Sequence, residues 1–152
     1  MIIEAVFLLY LTMVTINPDK YIRKAYFDAL KAYAHVWEKK VPKDTPIPSK
    51  YYLISSQTKN ETERKKCGSE WSCSIVIECV NIQSNGYANS EIINDMEQDL
   101  LSVVDSGLII QGFDLKQTNF VDSISLDTET PTNSIYRRVV NYQHWLNNVQ
   151  TT

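Results

Sequence analysis

The sequence predicts an α+β protein built on a single, mostly antiparallel sheet of four to five strands, with two helices packed on one face. Three observations carry that expectation. Apolar residues recur at steps of three and four in two stretches, residues 21–37 and 92–104, the spacing of a helix with one buried side. Between them, Trp71, Cys73, Ile75, Ile77 and Cys79 alternate with Ser72, Ser74, Val76, Glu78 and Val80, the period-two pattern of a strand covered mainly on one face. Strand-like runs flank the second helix on both sides, an order that suits helices gathered on one face of an antiparallel sheet.

Composition sets the frame. The chain has 152 residues, 43% of them hydrophobic and 22% charged, with four Gly and five Pro. At such a length one core buries roughly 68–70% of the surface an unfolded chain exposes, so one domain holds without staples. Collagen-like and disulfide-dense scaffolds are excluded. Fifteen basic against 18 acidic residues, a net charge of −3, argue against a protein whose main task is to coat nucleic acid.

Residues 1–16, MIIEAVFLLYLTMVTI, form a short apolar block interrupted by Glu4. A membrane span needs about 20 such residues, and a secretory signal needs a basic start and a small-residue cleavage site, neither of which is present. Two readings stand: an apolar arm that packs on its own domain or on a neighbouring copy, or a translated extension upstream of Met13. Residues 17–152 are then the α+β domain.

Asn17-Pro18-Asp19 opens the first helix, because Asn accepts from an otherwise unpaired N–H and Pro at the first helical position strands none. Its stripe of Tyr21, Ile22, Ala25, Tyr26, Ala29, Leu30, Tyr33 and Trp37 predicts a helix through about Glu38. Pro42, Pro46 and Pro48 then force extended backbone. YYLISSQT, from Tyr51 to Thr58, and the run from Trp71 to Ile82 read as strands. KNETERKKCGSE between them carries four bases and three acids, is too long for a tight turn, and is expected to project as a mobile arm. Asn85-Gly86 marks a turn. Ser90 begins the second helix, with Ile92, Ile93, Met96, Leu100, Val103 and Val104 on its buried stripe and Glu91, Asp95, Glu97 and Asp99 outside. Gly107 is its left-handed cap. LIIQGFDL, NFVDSISL and SIYRRVVNYQHWL read as strands, with TETPTNS as the loop before the last.

Nothing in the sequence assembles a catalytic or metal site. There is no phosphate loop, nucleophile elbow, H-E-x-x-H or dinucleotide fingerprint. Cys67, Cys73 and Cys79 make an odd count, which fits no closed disulfide set and points to a reducing compartment. An untwisted strand holds Cys73 and Cys79 about 20 Å apart, unsuited to zinc. His35, expected in the first helix, and His144, in the last strand, read as structural or surface residues. No cofactor is expected. Charge is segregated along the chain: residues 1–50 carry eight bases and five acids, residues 83–130 nine acids and one base, Lys116. Such a division serves either as two solvated faces or as complementary sides of subunits.

The Pro-rich passage VPKDTPIPSKYYLI after a long helix, the hairpin with a charged tip, the helix SEIINDMEQDLL and the closing strand SIYRRVVNYQHWL resemble the tail-terminator or tail-completion proteins of tailed bacteriophages, from Asn17 to about Leu146. The resemblance implies a virion protein, not an enzyme: a subunit of a homo-oligomeric ring at the head-tail or tail-end joint, assembled in the host cytoplasm. It implies contacts with other neck, portal-adaptor or tail proteins, DNA passing through the lumen without specific binding, and no membrane. Within that reading the candidate subunit-interface residues are Asn60, Glu61, Arg64, Lys65 and Lys66 on the charged arm and Glu91, Asp95 and Asp99 on the acidic helix. The alternatives are an exported or membrane-tethered α+β protein of unknown binding role, and a small hydrolase or nucleotide-modifying enzyme.

Overall fold

A computed structural model of the chain describes residues 15–65, 68–84 and 89–148. The apolar N-terminal segment through Val14, Lys66, Cys67 and the Asn85-Gly86 turn lie outside the described residues. The elements run α1 (Asp19–Leu30), β1 (His35–Glu38), β2 (Lys50–Lys65), β3 (Gly68–Ser84), α2 (Glu91–Asp105), β4 (Phe113–Ser125), β5 (Thr128–Glu129) and β6 (Asn133–Asn148). The architecture is α+β, with one six-stranded, mostly antiparallel sheet in the order β1-β2-β3-β6-β4 and β5 paired with β6.

The alternating strand is the centre of the sheet. Trp71, Cys73, Ile75, Ile77 and Cys79 of β3 are all buried, and they face Val140, Tyr142 and Leu146 of the neighbouring strand β6 in one continuous core. Both helices cover this face. α1 contributes Ile22, Ala25, Tyr26 and Leu30, and α2 contributes Ile93, Met96, Leu100, Val103 and Val104. The Tyr52 hydroxyl of β2 donates to the Met96 carbonyl at 3.0 Å and ties α2 to the sheet from below.

Several expected boundaries move. α1 ends at Leu30, and His35–Glu38 is a strand that pairs in parallel with Tyr51–Ile54, so His35 and Trp37 stand on β1. The helical spacing holds for Ile22 through Leu30. Beyond it, aromatic and β-branched residues favour the pleat once β2 offers an open edge. The charged stretch between β2 and β3 is no loop: Lys50–Lys65 and Gly68–Ser84 stay paired out to Lys65 opposite Gly68. Ile92, assigned to the buried stripe, is exposed, and Glu97, assigned to the outside, turns toward β4 and β6. Of LIIQGFDL only Phe113 onward is strand, continuing through NFVDSIS as the single strand β4, while Leu108 and Ile110 are buried in the connection that precedes it. Gly107 has φ +95 and follows the last helical turn, as its capping role requires.

Candidate functional site

The far end of the β2–β3 hairpin is held by its own charges. The Arg64 guanidinium donates to both carboxylate oxygens of Glu61 at 2.6 and 3.0 Å, and the Ser69 hydroxyl donates to the same carboxylate at 3.3 Å. These bonds hold the Glu61 carboxyl below the usual carboxylate range. Arg64 also reaches the Thr15 hydroxyl at 3.4 Å, and lower on the strand Lys59 pairs with Asp19 at the start of α1 at 2.5 Å. Asn60 is exposed opposite Ser72, and Lys65 closes β2. At Gly68, φ is +150 and a Cβ would come within 3.0 Å of the Asn148 carbonyl oxygen, so the tip of the hairpin and the end of β6 approach more closely than a side chain permits. The expected projecting arm is therefore part of the sheet: β6 flanks β3 as far as Glu70 opposite Asn147, and Lys59 ties β2 to the start of α1.

The acidic side of α2 forms a second surface. Glu91, Asp95 and Asp99 recur every four residues on one side, the first two exposed and the third half-buried, and none has a basic partner among the described residues. Glu97, one step round the helix, is enclosed instead. It accepts from Ser123 and lies 3.7 Å from Arg138, which also reaches Asp127 at 3.2 Å.

Three surfaces escaped the sequence reading. β4 is the outer strand of the sheet, and within its last six residues and the one that follows, Phe120, Val121, Ile124 and Leu126 are each about half exposed. The run NFVDSISL announced a strand, but only the sheet order shows that no described strand covers its outer edge. At the opposite edge, beside β1, Lys39, Lys40, Lys43 and Lys50 are exposed with no acidic partner among the described residues. An open, mostly apolar groove of about 720 Å³ runs between α1 and residues 106–111, past Ala25, Ala29, Tyr33 and Val103.

The histidines and cysteines sit where catalysis is discouraged. His144 is fully buried opposite Cys73, with Nε2 2.7 Å from the Tyr26 hydroxyl and Nδ1 2.9 Å from the Thr118 hydroxyl. Burial pushes its pKa down to about 4 and the Cys73 thiol up to about 12, so neutral ring and protonated thiol face each other without a proton acceptor free on the imidazole. The Cys79 thiol is likewise raised by burial. His35 stacks on Trp37 with ring centroids 5.6 Å apart. Among the described residues no three His, Cys, Asp or Glu side chains group as a metal site, and no helix is long and apolar enough to cross a membrane.

No protein-family model matches the sequence, and no curated protein does. The fold, however, is shared with a solved structure, a chain in the virion of a native gene transfer agent particle. The two superpose with a TM-score of 0.63 at 14% identity, over 88% of this chain and 100% of the other.

Proposed function

We propose that this chain is a structural subunit of a phage-like virion, and within that class a ring-forming tail-terminator or tail-completion protein at the head-tail or tail-end joint. The observation that carries the reading is the shared fold, which accounts for the whole of a virion chain and leaves no part of it unmatched. Surface chemistry supports it. The end of the hairpin places Asn60, Glu61 and Arg64 at one margin of the sheet, where β2 closes at Lys65, and α2 presents Glu91, Asp95 and Asp99 as an acidic row with no basic partner among the described residues. Lys66 belongs to the same proposed contact by its place in the sequence. Acidic faces turned toward a lumen would let duplex pass without sticking, since phosphate binding is driven by cationic side chains. Other neck, portal-adaptor or tail proteins would cap the ring above and below.

Light scattering on the purified chain, followed by imaging of the same fractions, tests the proposal. A discrete oligomer at a fixed multiple of the monomer mass, seen as a ring, is expected. A monomer at every accessible concentration, absent from purified particles, would refute it.

A further inference from the structure

The opposed charges lie at opposite ends of one sheet. β1 and β4 are its two outer strands, separated by β2, β3 and β6. On the β1 side, Lys39, Lys40 and Lys43 follow β1 and Lys50 opens β2; among the described residues none is ion-paired, and the segment that carries them holds one exposed carboxylate, Asp44, for a surplus of positive charge. On the β4 side, Asp122 and Glu129 have no cationic partner among the described residues, while Asp114 and Asp127 are engaged by Lys116 and Arg138. Each edge also carries apolar surface: Phe120, Val121, Ile124 and Leu126 at β4, Ile47 and the half-buried Trp37 at β1.

The β4 surface is shaped for an edge contact. Phe120 lies on the helix-covered side, edge-on to Tyr142 at 5.7 Å, whereas Ile124 pairs with Val139 on the other side of the sheet. Apolar groups therefore straddle the strand, above and below a row of backbone N–H and C=O groups that no described strand completes. Thirteen residues make an edge about 43 Å long. Long edges of this kind are normally shortened, covered or charged to prevent association, and here the charges are all of one sign except Lys116, which is paired.

From this we infer that a second copy of the same chain covers β4: the Phe120 to Leu126 stretch of one subunit seats against β1 and the lysine-bearing 39–50 segment of the next. The contact is head-to-tail, because the two surfaces are different and complementary, and head-to-tail contacts generate rings when the rotation closes. The inference rests on the ring reading above and specifies which surfaces build the ring. The acidic row on α2 lies on the helix side of the sheet and remains available to other proteins.

A charge swap tests it. One variant, Asp122→Lys with Glu129→Lys, makes both edges basic; a second, Lys39→Glu with Lys40→Glu and Lys43→Glu, makes both acidic. All five positions are exposed, so thermal melting should stay close to that of the parent. Each variant alone should be monomeric by light scattering at concentrations where the parent assembles, and an equimolar mixture should assemble again, with the two variants alternating so that each junction joins unlike charges. If the parent forms rings and both variants do so equally well alone, the edges are not the interface, while the ring reading survives. If both variants lose assembly and mixing fails to restore it, the two edges do not meet and the head-to-tail pairing is overturned. A parent that stays monomeric overturns the pairing and the ring reading together.

Discussion

His144 gives the structure a pH signature that can be measured without knowing any partner. Unfolded, the ring titrates near its ordinary 6.5; folded, burial lowers it to about 4. Above pH 6.5 both states hold a neutral ring and the shift contributes nothing. As pH falls below that value the unfolded chain takes up a proton that the native state refuses. Stability then declines by about 1.4 kcal/mol per pH unit, and the decline ends near the folded value, where the native ring also protonates. From about pH 7.5 to pH 5 the loss from this one ring comes to about 2 kcal/mol. Carboxylates add their own pH dependence, so the informative quantity is a difference between proteins. His144→Gln removes the titration while keeping a polar group near the Tyr26 and Thr118 hydroxyls. It should be less stable than the parent at neutral pH, since one buried hydroxyl loses its partner at a cost of about 1–3 kcal/mol. Its urea midpoint, followed by Trp fluorescence at both pH values, should however fall by about 2 kcal/mol less in free-energy terms than the parent's. Equal pH dependence in the two proteins would refute the reasoning, because it would mean that the native state accepts the proton as readily as the unfolded chain does.

Three further outcomes are expected. In a Cys67→Ser background, Cys73 and Cys79 should resist a thiol reagent at pH 8 until the protein is unfolded; Cys79→Ala should cost on the order of 1 kcal/mol in denaturant titration with no loss of metal. Glu91→Lys, Asp95→Lys and Asp99→Lys together should leave the melting temperature nearly unchanged. Incorporation into particles should weaken most at low salt, and the gap from the parent should narrow as salt rises, because the contact is collective and screened over about 8 Å at physiological ionic strength; unchanged incorporation across low and moderate salt would make this face merely solvated. Replacing residues 62–70 by Asn-Gly keeps Glu61 opposite Trp71 and shortens only the hairpin tip. The product should fold, with its thermal transition still cooperative, and fail to join its particle partners; full assembly would dismiss the arm as a contact.

Local patterns carried much of the fold because they report forces that act over a few residues. The alternation from Trp71 to Cys79 marks one buried face whatever the neighbours, and Gly107 marks a helix end through its own backbone freedom. The same locality explains the misplacements. Tyr33 and Trp37 continue a helical spacing by coincidence, and only β2, farther along the chain, supplies the edge that converts His35–Glu38 to a strand. The charged stretch around Glu61 and Arg64 looked like a solvated loop because its side chains are polar. Pairing there is a backbone property, extended by the adjoining strands and by the Arg64–Glu61 contact.

For the candidate surfaces the division is similar. That acids crowd residues 83–130 and bases residues 1–50 was plain from the residues, as were the absence of a recognised catalytic motif and the outward acidic row at Glu91, Asp95 and Asp99. Whether those charges end on one face or on opposite edges is a matter of strand order, which no local pattern encodes. By itself the sequence determined the elements that pack through their own periodicity, the α+β class and the overall charge division. Only the tertiary structure decided that β4 and β1 lie at opposite edges, that His144 is sealed beside Tyr26, and that Glu97 turns inward. Those features arise from pairings between residues far apart in the chain, whose energy exists only once the sheet has assembled.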